Sequence, residues 1–136
     1  YKAADNGVKI KMIIRGICCL IPTHHKNIKV ISIIDRFLEH TRIFIFNNNK
    51  KNETYISSAD WMTRNLDNRV EVTCPIHDSK IKKEINDIFN IYWSDNVKSR
   101  LINQKDANVY KSDIKKSNSI RSQLEIYNYY KSKIEN

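Results

Sequence analysis

The hydrophobic period of the chain changes once, near Asp78, and this change limits the folds that are open to it. Before that point apolar residues alternate with polar ones or form short β-branched runs, which is typical of strands. After it, Ile81, Ile85, Ile88 and Tyr92 recur at intervals of three and four, which is typical of an amphipathic helix. Strands first and helices later favour an α/β fold, in which a mixed sheet carries packed helices.

About five strands are predicted for this sheet. RIFIF and TYISS are joined by NNNKKNE, and because Asn tolerates positive φ, the two strands are predicted to form a hairpin. Pro75 is expected to stop the last strand, because proline has no backbone N–H to donate. The predicted strands are VKIKMIIRG (8–16), KVISIID (29–35), RIFIF (42–46), TYISS (54–58) and RVEVTC (69–74).

Two helices are predicted in the second half. Asp78 or Ser79 can cap the first, which should run to about Trp93. Residues 94–119 are strongly polar and are predicted to be mostly irregular. The second helix should begin after a cap at Asn118 or Ser119, and its apolar positions are Ile120, Leu124, Tyr127 and Ile134.

The charge of the chain favours an anionic partner. Its 136 residues fit one domain, and 24 Lys and Arg against 15 Asp and Glu give a formal net charge of +9. The excess is spread along the chain and forms no basic tail, which speaks against a disordered nucleic-acid arm. A polyanion is therefore expected as partner, and nucleic acid is not.

The cysteines and histidines predict no metal site. Cys18 and Cys19 are adjacent and cannot form an ordinary disulfide, so with Cys74 they are expected to be reduced core residues. His24 and His25 are also adjacent, their side chains should diverge, and no third ligand is apparent. No secretory signal or membrane-length apolar run occurs, and the cytoplasm is the expected compartment.

Two residues stand where a phosphate could bind. Arg15 ends a predicted strand and is followed by Gly16, and the guanidinium fork can bind two phosphate oxygens. The alternative is an ion pair with a carboxylate such as Asp35. His40 stands two residues before Arg42, and a histidine can hold and release a proton near neutral pH. Its alternative is a surface histidine.

Several longer motifs carry a family resemblance. RGICCLIP, KVISIIDRFLEHTRIFIF, TYISSADWMTRNLDNRVEV, YWSDNVKSRL and RSQLEIYNYYKSK resemble the C-terminal catalytic domain of bacterial-type polyphosphate kinase. The resemblance covers essentially the whole chain. It implies that residues 1–136 are one domain, a phospholipase D-like half with C-terminal helices, from an enzyme whose upstream domains are absent here.

The resemblance also implies roles for particular residues. RFLEHTRIFIF matches the segment with the second functional histidine, which would be His40, and RGICCL and DNRVEV match segments with phosphate-contacting arginines, Arg15 and Arg69. Arg64 in SADWMTRN is a weaker candidate for phosphate binding. The phospholipase D trace would be His40, Thr41 and Arg42, with Ser57, Ser58 and Asp60 following.

The implied activity is reversible transfer of the terminal phosphate of ATP to polyphosphate. The transfer would pass through a phosphohistidine on a missing domain, so the isolated chain should be inactive. The implied cofactor is Mg²⁺, and the implied partners are ATP or ADP, polyphosphate and the upstream domains. A homo-oligomeric complete enzyme is expected, and peripheral membrane association is left open.

Two departures and two alternatives accompany this interpretation. The loop Thr23–Asn27 is shorter than is usual in the family and lacks glycine, so its cover of a nucleotide is in question. NNNKKNE replaces a turn in which glycines are usual. A stand-alone polyanion-binding module would explain the charge without an enzyme, and a phosphodiesterase of the phospholipase D superfamily would use a second histidine motif from another chain.

Overall fold

The computed structural model describes residues 1–22, 25–102, 109–111 and 118–135. They form two compact units, the first from residues 1–39 and 90–136 and the second from residues 40–89. The predicted α/β class is confirmed, but six strands form two three-stranded sheets in place of one sheet of about five. The elements are α1 (Lys2–Asp5), β1 (Ile10–Ile14), β2 (Ile28–Ile33), β3 (Ile43–Phe46), β4 (Glu53–Ser57), α2 (Thr63–Leu66), β5 (Thr73–Ile76), α3 (Ser79–Ser94), β6 (Ser99–Leu101) and α4 (Ser122–Ile134).

The sheet of the first unit is built around β2. Strand order is β1–β2–β6, with β1 parallel and β6 antiparallel to β2. Val30, Ile31 and Ile33 are each no more than 4% exposed, on both faces of the strand. A central strand that is covered on both faces needs a nearly continuous apolar run, and KVISII supplies it. The apolar core of the first unit therefore lies along β2.

The sheet of the second unit is an antiparallel meander with the order β3–β4–β5. The prediction that Pro75 stops the last strand is wrong, because β5 runs from Thr73 to Ile76 through it. As β5 is an edge strand, proline's missing N–H need not break a ladder. The predicted use of asparagine in the β3–β4 turn is confirmed: Asn48 and Asn49 have φ of 33° and 52°, and Lys50 has 69°.

The first predicted helix is confirmed as α3. The Asp78 carboxylate accepts hydrogen bonds from the backbone N–H groups of Lys80 (2.8 Å) and Ile81 (2.9 Å), so Asp78 caps the helix as expected. The helix runs to Ser94, one residue beyond the predicted end.

The second predicted helix begins later than expected, at Ser122. The backbone before it is engaged elsewhere: Ile120 donates its N–H to the Asn96 side chain (2.8 Å) and accepts from the Asn96 N–H (3.0 Å). The prediction that residues 94–119 are mostly irregular is wrong at β6, and residues 103–108 and 112–117 lie outside the described residues.

The cysteines are unpaired, but the prediction that all three lie in the core is wrong. Cys18 is half-buried, while Cys19 and Cys74 are exposed. Cys74 lies on the edge strand β5, and Cys19 lies in the irregular segment after β1, so neither is enclosed by neighbouring strands.

The helices of the described residues include none with the length and apolar character needed to cross a bilayer.

Candidate functional site

Three chain segments meet at one end of the sheet in the second unit. Neighbouring antiparallel strands reverse direction, so the start of β3, the end of β4 and the start of β5 lie at the same end. Ile43 pairs with Ile56, and Ser57 pairs with Thr73. The pairing continues beyond β3, because the Ser57 N–H donates to the Arg42 carbonyl (3.0 Å). Residues 40–42, 57–60 and 69–72 are thereby brought to this end.

The His40 imidazole is held by Arg42. Arg42 Nη1 lies 3.1 Å from His40 Nδ1, Arg42 Nη2 lies 3.3 Å from His40 Nε2, and Nη1 also donates to the His40 carbonyl (3.3 Å). A guanidinium can only donate and a neutral imidazole has one accepting nitrogen, so only one of the two ring contacts is a hydrogen bond and the other is a close contact. These contacts orient the ring. Because His40 is exposed, the ring also remains open to solvent.

Arg42 is in turn fixed by Asp60. Arg42 Nε donates to Asp60 Oδ1 at 2.9 Å, and the two side chains are only 15% and 21% exposed. An ion pair that is partly shielded from water holds its geometry better than an exposed one. The result is a series of contacts, Asp60 to Arg42 to His40, which we name the His40 brace. Arg42 therefore orients the histidine and is itself oriented by Asp60.

Glu71 is a site residue that the sequence predictions missed. Its carboxylate accepts hydrogen bonds from the Ser58 hydroxyl and from Asn65 Nδ2 (2.7 Å). The Ser58 and Asn65 hydrogen bonds, followed by the charges of Arg69 and Arg42, lower the pKa of Glu71. Glu71 is therefore an ionised carboxylate within electrostatic reach of two arginines of this unit.

The alternation around Glu71 explains why sequence patterns carried no signal for it. Val70 is 99% exposed and Val72 is 67% exposed, while Glu71 between them is half-buried. This is the reverse of the usual arrangement in a half-buried strand, where the valines would face inward. The Val-Glu-Val run by itself predicts inward valines, so the inward position of the Glu71 carboxylate could not be read from it.

The two serines of the trace tie strand ends together. Ser57 Oγ lies 2.9 Å from Thr73 Oγ1 and accepts from the Ala59 N–H (3.1 Å). Ser58 accepts from the Val72 N–H (3.0 Å) through its hydroxyl, besides bonding Glu71. These hydrogen bonds connect β4 to the segment before β5, which carries Arg69.

Arg69 and Arg64 are both exposed in the second unit. Arg69 lies in the turn between α2 and β5, and its positive charge acts on Glu71. Arg64 lies on the short helix α2. The phosphate-binding roles of both residues stay predictions, as does the catalytic role of His40.

Arg15 belongs to the first unit. It directly follows β1, and because β1 and β2 are parallel, both end at the same end of their sheet. The carboxylate named above as its alternative partner, Asp35, accepts two hydrogen bonds from Arg121, at 2.6 and 2.8 Å. Phosphate binding by Arg15 stays a prediction.

The histidines near the shortened loop take part in ordinary contacts where they are described. His25 Nδ1 lies 3.3 Å from the Asp5 carboxylate, and its ring packs at 5.0 Å against that of Tyr1. Thr23 and His24 lie outside the described residues, so the prediction for the loop Thr23–Asn27 is not addressed. Across the described part of the chain, no group of three His, Cys, Asp or Glu side chains is arranged to hold a metal ion.

Comparisons with known proteins agree on one family. The model of polyphosphate kinase C-terminal domain 2 matches residues 1–123. Polyphosphate kinase of Vibrio parahaemolyticus is 50% identical over 136 residues, which cover 96% of this chain and 19% of that protein. The Escherichia coli K12 protein of the same name is 44% identical, over 97% of this chain and 20% of that protein.

A solved structure shows the same likeness. The crystal structure of polyphosphate kinase from Porphyromonas gingivalis matches 99% of this chain and 21% of its own chain, with a TM-score of 0.92 and 46% sequence identity. The chain thus spans about a fifth of the length of the relatives that it matches. On the family model, the sequence identity and the shared fold together, the chain belongs to the polyphosphate kinase family and corresponds to its C-terminal domain.

Proposed function

We propose that this chain supplies part of a phosphoryl-transfer site that moves the terminal phosphate of ATP to polyphosphate, and back. In this proposal His40 acts on the transferring phosphoryl group, while Arg15 and Arg69 bind phosphate oxygens and Arg64 assists. The observation that carries the proposal is the His40 brace: an exposed imidazole that is oriented by Arg42 and Asp60. An acid–base residue is effective only when its ring is held in position.

The electrostatics support the same assignment. The transferring group bears several negative oxygens, and catalysis of its transfer depends mainly on positioning and charge neutralisation. The chain has a net charge of +9, and Arg69 and Arg64 are exposed in the unit that carries His40. Hydrogen bonds from Ser58 and Asn65, and after them the charges of Arg69 and Arg42, lower the pKa of the Glu71 carboxylate in the same unit.

The chemistry proceeds in two transfers. In the first, a histidine nitrogen on another domain attacks the γ-phosphorus of ATP, the bond to the β,γ-bridging oxygen breaks, and ADP leaves. In the second, a terminal oxygen of polyphosphate attacks that phosphorus, and the N–P bond breaks. His40 donates a hydrogen bond or a proton to a phosphoryl oxygen while charge builds up there.

Mg²⁺ is the proposed cofactor, and it would neutralise phosphate charge. Among the described residues, no group of three His, Cys, Asp or Glu side chains could hold a metal ion. Mg²⁺ commonly reaches such sites on the substrate phosphates, held by few protein ligands. We therefore assign no residue of this chain to the metal, and the roles of His40 and the arginines do not depend on it.

The test is replacement of His40 in the complete enzyme. His40→Ala should lower the rate of polyphosphate synthesis from ATP by about a hundredfold or more, the lower range for a general acid or base. The matched control is His77→Ala, because His77 is also exposed and lies in the same unit but matches no functional motif. Synthesis is followed by the incorporation of labelled phosphate.

Near-normal synthesis by the His40→Ala enzyme would remove His40 from the mechanism. The polyanion-binding alternative would replace the proposal if two results came together. Wild type would make no polyphosphate, and the His40→Ala protein would still bind polyphosphate tightly and with steep salt dependence. Because the proposed nucleophile lies on another domain, this chain alone should not become phosphorylated by labelled ATP, and covalent phosphate on it would contradict that assignment.

A further inference from the structure

We infer that the start of α4 positions His40 by holding the loop that precedes it, and that Gln123 is the principal positioning residue. We name residues 34–39 the His40 loop, since His40 follows Glu39 directly in the chain. This inference rests on the proposed role of His40. It assigns a function to the WSDN and RSQ motifs, which the phosphate-binding assignments leave unexplained.

The His40 loop lacks the apolar burial that usually fixes a loop. Ile34, Phe37 and Leu38 are 57%, 67% and 74% exposed. Apolar side chains that remain in water contribute little to holding a backbone in one conformation. The loop must therefore be held by polar contacts.

Gln123 supplies three of these contacts through one amide group. Its Oε1 accepts from the Phe37 N–H (3.1 Å), and its Nε2 donates to the Phe37 carbonyl (2.9 Å) and to the Glu39 carboxylate (2.7 Å). The side chain thus pairs with both backbone groups of Phe37, much as a neighbouring strand would. The third bond has a charged acceptor, which makes it stronger than a bond between neutral groups.

Arg121 holds the other end of the loop. Its Nη2 and Nε donate to the two oxygens of Asp35, at 2.6 and 2.8 Å, and the Asp35 side chain is only 1% exposed. Hydrogen bonding to Arg121 is the main cause that lowers the pKa of Asp35. A two-point contact with a planar guanidinium fixes orientation as well as distance.

The start of α4 is itself anchored. Asp95 is completely buried, and its carboxylate accepts from the backbone N–H of Ser122 (2.7 Å) and from those of Val97, Lys98 and Ser99. A carboxylate at the first N–H groups of a helix satisfies donors that have no partner within the helix. Asn96 binds the adjoining backbone at Ile120 (2.8 Å). Arg121 and Gln123 therefore extend from a fixed base.

A negative charge introduced at position 123 tests the role of Gln123. In the complete enzyme, Gln123→Glu keeps an acceptor for the Phe37 N–H but removes the donor and places a second carboxylate beside Glu39. We expect deuterium uptake in a peptide covering residues 35–40 to become about tenfold faster. We also expect kcat for polyphosphate synthesis to fall about tenfold to a hundredfold with KM for ATP within about twofold, since small misplacements of a catalytic group have effects of that size.

The reciprocal variant separates positioning from loss of fold. Glu39→Gln combined with Gln123→Glu restores the hydrogen bond between positions 39 and 123 with donor and acceptor exchanged, but not the bond to the Phe37 carbonyl, so uptake and kcat should both return part of the way to wild type. Asn128→Asp is the matched control, because it makes the same change of charge on an exposed position of α4 and should leave both measurements unchanged.

The two measurements keep the inference apart from the proposed function. We name the hold of Gln123 and Arg121 on the His40 loop the clamp. Unchanged uptake in Gln123→Glu, or no recovery in the double variant, would overturn the clamp whether or not the enzyme makes polyphosphate. Faster uptake with unchanged kcat in an active enzyme would overturn the positioning role and leave the proposed function standing. A wild-type enzyme that makes no polyphosphate would refute the proposed function, and the uptake of the variants would still decide whether the clamp exists.

Discussion

The two sheets of this chain are held together by different physical means. Along β2 of the first sheet, Val30, Ile31 and Ile33 are almost fully buried and apolar contact dominates, although the same unit also buries the polar residues Asp95, Asn96, Ser99 and Ser122. In the second unit, the sheet end that carries His40 is joined by the Arg42–Asp60 ion pair and by hydrogen bonds such as that from Asn65 to Glu71. The difference teaches that a framework is stabilised by apolar burial, while a site must keep polar groups accessible and fix them with other polar groups.

The largest expected change in the free energy of unfolding comes from a pair of matched isoleucine substitutions, one in each sheet. Ile33→Ala should lower the free energy of unfolding by about 3 kcal/mol, because it removes a fully buried side chain and leaves a cavity. The matched substitution in the other sheet is Ile56→Ala, at a position that is 43% exposed, and it should lower stability by less than about 1 kcal/mol. Denaturant unfolding of the two variants measures both values.

Equal losses from the two isoleucine substitutions would show that the second sheet also depends on apolar burial. The statement that the two sheets are stabilised by different means would then be wrong.

The second prediction concerns the polar region. Asp60→Asn removes the charge partner of Arg42 and loosens the His40 brace, so polyphosphate synthesis by the complete enzyme should fall about tenfold. Asp67→Asn, which makes the same chemical change at an exposed residue after α2, is the control and should have no effect. Steady-state rates at saturating ATP provide the measurement, and an Asp60→Asn enzyme as fast as its control would show that the brace is unnecessary.

The smallest expected effect is a gain in stability at the β3–β4 turn. Lys50 has φ of 69°, a left-handed conformation that is unfavourable for a residue with a Cβ. Lys50→Gly should therefore raise the free energy of unfolding by about 0.5–1 kcal/mol. The neighbouring Lys51 has φ of −97°, so Lys51→Gly should lower stability by a similar amount.

Thermal unfolding of the two glycine variants would show opposite shifts. A loss of stability in both would mean that the left-handed turn carries no strain that glycine can relieve.

Sequence patterns predicted the framework better than the site. β2 and α3 were recognisable because a β-branched run and a three-and-four period each reflect burial, which acts through local spacing. His40 was selected from its motif, and its role stays a prediction. Its brace was not recognisable, because the contact between Arg42 and Asp60 depends on two strand ends meeting, which no local period encodes.

β6 and the start of α4 could not be predicted either, because both depend on residues that are distant in the sequence. β6 lies in a polar stretch and is a strand because β2 offers it a partner, with Ile31 opposite Leu101. The late start of α4 depends on Asp95 and Asn96, more than twenty residues earlier. Long-range hydrogen bonds override local propensity at both places.

The clamp on the His40 loop joins residues that are 86 positions apart. A ribosome adds residues from the N-terminus at about 5–20 per second, so the His40 loop is made several seconds before Gln123. During that time the loop has neither apolar cover nor its polar partners. The contacts that hold the His40 loop therefore form only after Arg121 and Gln123 have been synthesised, and a nascent chain that is released just before residue 121 would carry the His40 brace without the contacts that hold the loop before it.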